Sequence, residues 1–347
     1  MSSTTATSSC RISVVTGAAG FIGRALLRRL LRDGDCVRAI VLRGDPLRDE
    51  LCTLCSDPDQ LAIIDGDIGD FGSIVGAFTG AQRAFHAAAL VHAWAPPERF
   101  WRANVLGTQN VARAALQHGV GRLVVISTSD VFGMPDGDRL LDESSALREW
   151  GEPYADSKIT AIRWFRQFAQ DTGLSASVIY PGWVYGPGDR AFFPSLARAI
   201  RDGAMFFWHR NVRLPWVYVE NLVDACLLAS TQPHAAGEGY LVFDTLDGPT
   251  LEEVCARIAD AIGARRPSLH LPYPLAFGAA WLLQSIWRRT RATHPPPLLT
   301  VDVKAFGFQW RFSNQKAHRQ LGWTSRVDIN SGMQQAIDDL VRRSGSP

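Results

Sequence analysis

A tyrosine and a lysine four positions apart, Tyr154 and Lys158, are the side chains in this sequence best suited to acid–base chemistry. Residues four apart lie on one face of a helix, so the phenol and the ammonium group are expected to point the same way. A free phenol has a pKa of about 10, and a nearby cation favours the phenolate. Tyr154 is therefore predicted to exchange a proton with a carbonyl or alcohol oxygen.

Three adjacent hydroxyl side chains precede this pair, at the end of the apolar segment 123–127. Such a segment predicts a buried strand, which would present a hydroxyl group close to the tyrosine. The residues alone do not decide between Ser127, Thr128 and Ser129.

A glycine-rich turn lies near the start of the chain, between an apolar segment and a helical pattern. Gly17 permits a sharp turn, Gly20 lets a pyrophosphate approach the backbone, and Gly23 lets the helix pack closely. The N–H groups and the positive dipole at the helix start then hold the phosphates. The residues predicted to contact the cofactor here are Gly17, Ala19, Gly20, Phe21, Ile22 and Gly23.

Apolar segments alternate with helical patterns through the first half of the chain. The predicted strands are 11–16, 36–42, 61–64, 83–87, 123–127 and 177–180, and the main predicted helices are 21–32, 98–118 and 154–171. Strands that are apolar throughout and are followed by helices need cover on both faces. The fold class is therefore predicted as α/β, with a doubly wound parallel Rossmann sheet and a smaller, mostly helical C-terminal substrate lobe.

The predicted domain boundaries follow from this pattern. Residues 11–180 form the NAD(P)-binding Rossmann domain, and 217–245 rejoin it with one helix and one strand. Residues 181–216 and 246–347, with more Gly and Pro, form the substrate-binding lobe. The Ser- and Thr-rich residues 1–10 are predicted to be a disordered lead-in.

Composition excludes several classes of protein. A net charge of +2 with scattered arginines argues against a nucleic-acid partner. Cys52 and Cys55 form one CxxC without a second pair, so no metal site is expected, and the six cysteines are predicted to be reduced thiols of a cytoplasmic protein. The apolar segment 274–287 is shorter than the roughly 20 residues that span a bilayer.

The turn Thr16-Gly17-Ala18-Ala19-Gly20-Phe21-Ile22-Gly23, with the later Tyr-x-x-x-Lys, resembles the extended short-chain dehydrogenase/reductase family of the epimerase/dehydratase superfamily. The resemblance implies an NAD(P) cofactor, with Lys158 also binding the nicotinamide ribose. It puts Thr128, in a segment ending Val-Phe-Gly, on the substrate oxygen, and it gives Asn104 a role in fixing the active-site geometry. The further cofactor contacts that it implies are Asp67, Ile68, Ala87, Ala88, Pro181 and Val184. One departure is Tyr180, where the family commonly has arginine before the proline.

The second strand bears on the choice of cofactor. It ends at Arg43, without the carboxylate that usually binds the ribose 2′-hydroxyl in NAD-specific proteins. Arg43, with help from Arg24 or Arg38, is suited to a 2′-phosphate, so NADP(H) is favoured over NAD.

The substrate is predicted to be large and hydrophobic. The segment from Asp189 to Pro194 and the C-terminal lobe resemble the 3β-hydroxysteroid and sterol-4-carboxylate dehydrogenases and bacterial relatives that reduce 2-alkyl-3-keto acids. An aromatic-rich lobe suits such a ligand. The candidate substrate contacts are Ser129, Trp183, Phe192 and Trp216.

Two other functions stay open. A nucleotide-sugar epimerase, dehydratase or reductase usually carries an arginine where this chain has 214–216, and Arg213 is one place off. A non-catalytic NAD(P)-binding sensor typically lacks the tyrosine or the lysine, which this chain keeps.

Two contacts with larger partners are also considered. A homodimer through helices 98–118 and 154–171 is common in the resembling family. The helix over 274–289 is apolar with an arginine end, which suits peripheral contact with a membrane, although burial against the sheet is favoured.

Overall fold

Seven parallel strands form the main sheet of the computed structural model, which describes residues 10–55, 57–91, 94–134, 139–290 and 294–344. In chain order the strands are β1 Ile12–Thr16, β2 Cys36–Val41, β3 Leu61–Asp65, β4 Arg83–His86, β5 Arg122–Ile126, β6 Ala176–Pro181, β7 Trp183–Tyr185, β8 Trp216–Tyr218 and β9 Gly239–Val242. The main sheet has the order β3-β2-β1-β4-β5-β6-β9, and β7 pairs with β8 separately. The predicted doubly wound α/β sheet is confirmed.

Helices cover both faces of this sheet. In chain order they are α1 Phe21–Arg32, α2 Arg48–Cys52, α3 Phe71–Ile74, α4 Pro97–Phe100, α5 Gly107–Gln117, α6 Pro153–Thr172, α7 Phe192–Arg201, α8 Val219–Thr231, α9 Leu251–Ala261, α10 Tyr273–Thr290, α11 Thr300–Ala305 and α12 Ile329–Ser344. Every residue of β5 is buried, as a strand covered on both faces requires.

The helix predicted over 98–118 is divided in the structure. Between α4 and α5 the backbone forms a π-helical segment, Trp101–Leu106. Such segments are rare and often occur at functional sites. This one contains Asn104.

The state of two cysteines differs from the prediction. Cys10 and Cys36 form a disulfide, so the prediction of six reduced thiols is wrong for these two. Cys52, Cys55, Cys226 and Cys255 are free. The predicted lead-in, 1–10, lies outside the described residues except for Cys10.

A buried ion pair holds the amino-terminal edge of the sheet. Arg83 Nη2 lies 2.7 Å from Asp35 Oδ2, and the two side chains are 5% and 1% exposed. Arg83 also donates to Ser13 Oγ at 2.9 Å and to Ser230 Oγ at 3.1 Å, and Ser13 Oγ donates to Asp35. The charges of this edge are therefore paired with each other.

Helix α10 lies away from the sheet and packs on α11. Its side chains Ala276 and Ala280 join Val303 in a small apolar cluster, separate from the main core. The same helix leaves exposed the side chains of Leu275, Trp281, Leu282 and Ile286. The favoured expectation that this helix is buried against the sheet is therefore wrong. No helix in the described ranges is long and apolar enough to cross a membrane.

Candidate active site

The turn between β1 and α1 has the geometry that the glycines predict. Gly17 has φ +66°, and a Cβ on it would come within 2.6 Å of the backbone of Ala88. A Cβ on Gly23 would overlap the carbonyl oxygen of Gly17. Gly20 caps α1, Ala19 is buried, and Phe21 and Ile22 are half-buried in its first turn. The helix therefore starts between β1 and β4, where doubly wound sheets bind their ligands.

Tyr154 lies in the first turn of α6 and hydrogen-bonds Thr128 at the end of β5. Burial raises the pKa of Tyr154 well above its usual value, and the Asp130 carboxylate raises this pKa further, while the bond with Thr128 lowers it. The sequence predicts that Lys158 lowers this pKa, but in the structure burial dominates. The phenol is therefore protonated at neutral pH and able to donate a proton.

Lys158 is held on the same helix, with 2% of its surface exposed. Its Nζ donates to the backbone oxygen of Ile126 at 2.9 Å. Burial lowers the pKa of Lys158 to about 8, because the ammonium group is removed from water. Lys158 is therefore positively charged at neutral pH and is deprotonated at a lower pH than an ordinary lysine.

The three adjacent hydroxyl groups have different surroundings. Thr128 accepts from the N–H of Asp130 at 3.2 Å in addition to its bond with Tyr154. Ser129 is buried in the short 3₁₀ turn Ser129–Phe132. The Oγ of Ser127 is buried and has no hydrogen-bond partner among the described residues. Of the three, Thr128 is thus the residue whose hydroxyl group bonds the phenol of Tyr154. The Oγ of Ser127 is available for a hydrogen bond with a ligand.

Asn104 joins three segments around the tyrosine. Its side chain accepts from Leu90 N at 2.8 Å and donates to Leu90 O at 3.1 Å and to Ser157 Oγ at 2.9 Å. Ser157 Oγ in turn donates to the backbone oxygen of Tyr154 at 2.6 Å. Ser157 is not among the residues predicted from the sequence, although its position inside the Tyr-x-x-x-Lys segment is a signal for a role in the site.

His86, at the end of β4, extends this network. Thr108 Oγ1 donates to the backbone oxygen of Asn104 at 2.7 Å, so it must accept from His86 Nε2 at 3.1 Å. The unprotonated Nδ1 then accepts from Thr16 Oγ1 at 2.8 Å. Burial, with a smaller contribution from Lys158, lowers the pKa of His86 to about 3, so the ring is neutral.

The other predicted cofactor contacts lie along the same edge. Asp67 pairs with Arg102 at 2.6 Å, and Ile68 is buried with its carbonyl group bound by Asn110 at 2.8 Å. The N–H groups of Ala87 and Ala88 donate to the backbone and the side chain of Thr16 at 3.3 and 3.4 Å.

The three arginines considered for a 2′-phosphate differ in availability. Arg38 donates to two backbone carbonyl groups, and Arg24 is buried and donates to Gly188 O at 3.0 Å. Arg43 is 90% exposed just beyond β2, with Asp65 4.0 Å away. Among these three, Arg43 has the accessible guanidinium group.

Tyr180, the departure before the proline, is fully buried in β6. Its hydroxyl oxygen accepts from Arg166 Nη2 of α6 at 2.7 Å, and the guanidinium group lies 5.6 Å from the ring centroid. An arginine from a neighbouring helix therefore reaches this strand, a contact that the sequence did not reveal.

The segment after β6 leads into an aromatic cluster. Pro181 ends β6, and Val184 of β7 pairs with Val217 of β8. Trp183 lies between Phe192 and Phe306, with ring centroids 5.0 and 5.1 Å away. Trp216 is fully buried behind Phe192 and donates to Pro249 O at 3.1 Å, so its substrate contact remains a prediction.

A family model described as "NAD dependent epimerase/dehydratase family" matches residues 13–242. The chain belongs to this family. This membership confirms the resemblance to the extended short-chain dehydrogenases and makes NAD(P) the cofactor class.

Three curated members of this family are similar over most of the chain. A 4-hydroxy-2-methyl-3-oxo-4-farnesyl-3,4-dihydroquinoline-1-oxide ketoreductase from Stigmatella aurantiaca is 32% identical, over 95% of this chain and 96% of that protein. A 2-alkyl-3-oxoalkanoate reductase from Stenotrophomonas maltophilia is 29% identical, over 92% and 96%. A 3β-hydroxysteroid dehydrogenase/Δ5→4-isomerase from Mycobacterium tuberculosis is 27% identical, over 89% and 85%.

A solved structure of the family shows the same fold. The dTDP-glucose 4,6-dehydratase from Streptomyces venezuelae, with NAD bound, has a TM-score of 0.73 and 25% identity, covering 96% of this chain and 97% of that one. The residues present here fit the same cofactor. The turn around Gly17 leaves no room for a Cβ, and the orphan Oγ of Ser127 lies at the carboxyl edge of the sheet.

Proposed function

We propose that this protein is an NAD(P)-dependent oxidoreductase that interconverts a secondary alcohol and a ketone on a bulky hydrophobic substrate. The observation that carries the proposal is the buried, protonated phenol of Tyr154, bonded to Thr128 and placed on one helix with Lys158. A phenol in this state suits proton donation to a ketone oxygen.

Each residue of the site has a separable task in this reaction. An NAD(P) cofactor held at the turn around Gly17 would supply or accept the hydride. Tyr154 donates a proton to the ketone oxygen, and the Thr128 hydroxyl group hydrogen-bonds the same oxygen. Lys158 provides positive charge beside the reacting groups, while Asn104 keeps Tyr154 in position through Ser157.

Two observations support a hydrophobic substrate. The curated relatives are named for a farnesylated quinoline oxide, for 2-alkyl-3-oxoalkanoates and for 3β-hydroxysteroids. The cluster of Trp183, Phe192 and Phe306 offers an aromatic surface beyond β6. A steroid-like or β-keto acid-like ketone is therefore the substrate class that we propose.

Nucleotide-sugar chemistry is the second candidate, because the structural neighbour acts on dTDP-glucose. Such a substrate needs a cation for its diphosphate. Arg213 is the arginine nearest in sequence to 214–216, where nucleotide-sugar enzymes usually carry theirs. Its guanidinium group donates to the carbonyl oxygen of Gly248, and the next residue, Leu214, is buried. This arrangement favours the hydrophobic substrate.

The proposed preference for NADP(H) depends on Arg43. Replacing it in the variant Arg43→Ala should raise KM for NADPH by about tenfold, since a charge-assisted contact is lost, and should leave KM for NADH nearly unchanged. Initial-rate kinetics with both cofactors measure this difference. An equal change for the two cofactors would show that Arg43 does not bind a 2′-phosphate.

The main test is cofactor oxidation with a panel of ketones. NADPH and NADH are offered with long-chain 2-alkyl-3-oxo acids and steroid ketones, and NAD is offered with dTDP-glucose, using wild type and Tyr154→Phe. We expect turnover of the hydrophobic ketones and a loss of about 10²–10⁴-fold in kcat for the variant. Tight cofactor binding without turnover of any ketone would instead indicate the non-catalytic sensor.

Two further predictions from the sequence accompany this proposal. A homodimer would form through the helices α5 and α6, and the protein would be cytoplasmic. Light scattering and fractionation of cells measure these two properties directly.

A further inference from the structure

Helix α10 presents an apolar face that no described part of the chain covers. Leu275 is 65%, Leu282 55% and Ile286 43% exposed, and their spacing of seven and four places them on one side of the helix. Trp281, 61% exposed, flanks this side. The opposite side, with Ala276 and Ala280, faces the small cluster on α11.

The charges of the helix are confined to one end. Arg288 and Arg289 lie in its last turn and are exposed, and α10 contains no Asp or Glu. The arginine Arg265, in the segment before the helix, is also exposed. The exposed surface thus combines large apolar side chains, a tryptophan at its margin and positive charge.

We propose that α10 docks on the surface of a bilayer that contains anionic lipid. The apolar face would enter the interfacial layer, with Arg288 and Arg289 beside the lipid phosphates. A spanning role is not proposed, since no helix in the described ranges is long and apolar enough for it.

A second copy of the chain fits this face less well. In a twofold interface the same patch meets itself, so the arginines of one α10 would find no carboxylate on the other. Anionic headgroups supply the missing negative charge. Charge complementarity therefore selects the bilayer.

Packed aromatic rings connect the helix to Trp183, one of the predicted substrate contacts. Phe206 and Trp208 pack against the cluster under α10. Trp208 lies 6.3 Å from Phe306, which lies 5.1 Å from Trp183 beyond β6. A substrate dissolved in the bilayer would thus meet apolar side chains from α10 as far as Trp183, an extension that rests on the proposed function.

Co-sedimentation of the full chain with vesicles tests the docking. Wild type is expected to bind vesicles of phosphatidylcholine and phosphatidylglycerol and to bind pure phosphatidylcholine more weakly. The double variant Leu282→Glu/Ile286→Glu should lose at least about tenfold in affinity, because carboxylates replace the inserted side chains. The variant Arg288→Gln/Arg289→Gln should lose about fivefold or more with the anionic vesicles alone.

A matched control is available in Leu140, which is 57% exposed in a loop outside α10. The variant Leu140→Glu should bind vesicles like wild type. Equal binding by the α10 variants and wild type, or no binding by wild type, would overturn the proposal. So would a wild type that ignores vesicles but forms a dimer that Leu282→Glu/Ile286→Glu separates.

Activity separates this proposal from the proposed function. On a water-soluble ketone the variant Leu282→Glu/Ile286→Glu should match wild type, because these two side chains are exposed on α10. On a ketone carried in anionic vesicles this variant should be slower. A variant that no longer binds vesicles but keeps its activity on the water-soluble ketone supports the docking. A wild type that is inactive on every ketone counts against the proposed function alone.

Discussion

The two ends of the main sheet both bury polar side chains, but they do so in opposite ways. At the amino-terminal edge Arg83 and Asp35 are paired at 2.7 Å, and Ser13 and Ser230 complete their hydrogen bonds. At the carboxyl edge, Lys158 is buried and donates to a backbone oxygen, and no carboxylate of the described residues is bonded to it.

The consequences appear in the acid–base properties of the carboxyl edge. Burial lowers the pKa of Lys158 to about 8, raises that of Asp130 to about 6 and lowers that of His86 to about 3. Such shifts cost stability and are frequent at active sites, so they support the candidate site. The amino edge thus pairs its buried charges with each other, whereas the carboxyl edge holds groups whose pKa values are shifted by burial.

The largest expected effect is on stability, at the amino edge. Asp35→Asn leaves the Arg83 guanidinium group buried without its counter-charge, which should lower the free energy of unfolding by about 3–5 kcal/mol. Denaturant titration measures this change. The exposed pair Arg163–Glu149 gives the control, since Glu149→Gln should change stability by at most about 1 kcal/mol. Similar losses of stability in both variants would show that the buried pair at the amino edge is no more important for stability than an exposed pair.

The next effect is on catalysis, at the carboxyl edge. Thr128→Val keeps the shape of the side chain but removes the hydroxyl group bonded to Tyr154, so kcat/KM should fall by about 10–100-fold. Ser129→Ala is the matched variant and should retain most of the activity. Steady-state kinetics compare the two, and a greater loss with Ser129→Ala would transfer the role to that residue.

The smallest effect is a pH dependence of stability. The folded protein releases the Lys158 proton near pH 8, whereas an unfolded lysine holds it to about 10.4. Between these values the unfolded chain binds more protons, so the stability of wild type rises with pH relative to Lys158→Met.

Lys158→Met should therefore be more stable than wild type at pH 7, by about 1–2 kcal/mol, and this advantage should shrink towards pH 10. Thermal unfolding at both pH values measures it. An advantage that stays constant with pH would mean that Lys158 keeps its proton in the folded protein as an unfolded lysine does, and that burial does not lower its pKa.

The sequence predicted the parts of the fold that depend on local pattern. The alternation of apolar segments and helical spacing located the strands of the sheet, and the glycine turn agrees with the close approach of Ala88 to Gly17. The pairing of Tyr154 with Lys158 on one helix also follows from spacing alone.

Other features depend on distant contacts that spacing does not contain. The disulfide of Cys10 and Cys36 needs the register that pairs Ile12 with Cys36. The dominance of burial over the charge of Lys158 at Tyr154 needs the packed site, and the bond from Arg166 to Tyr180 needs α6 to lie across β6.

Because of the π-helical segment Trp101–Leu106, the number of residues between α4 and α5 affects the geometry of the site. A π turn accommodates a residue that a regular α-helix of the same span would not. Deleting one residue there would leave a continuous, regular helix. The deletion would, however, change the rotation of α4 relative to α5, or it would turn the side chain of Asn104 away from Leu90 and Ser157 and break its hydrogen bonds. In this stretch, a chain that is shorter by one residue could be more regular and still be a poorer enzyme.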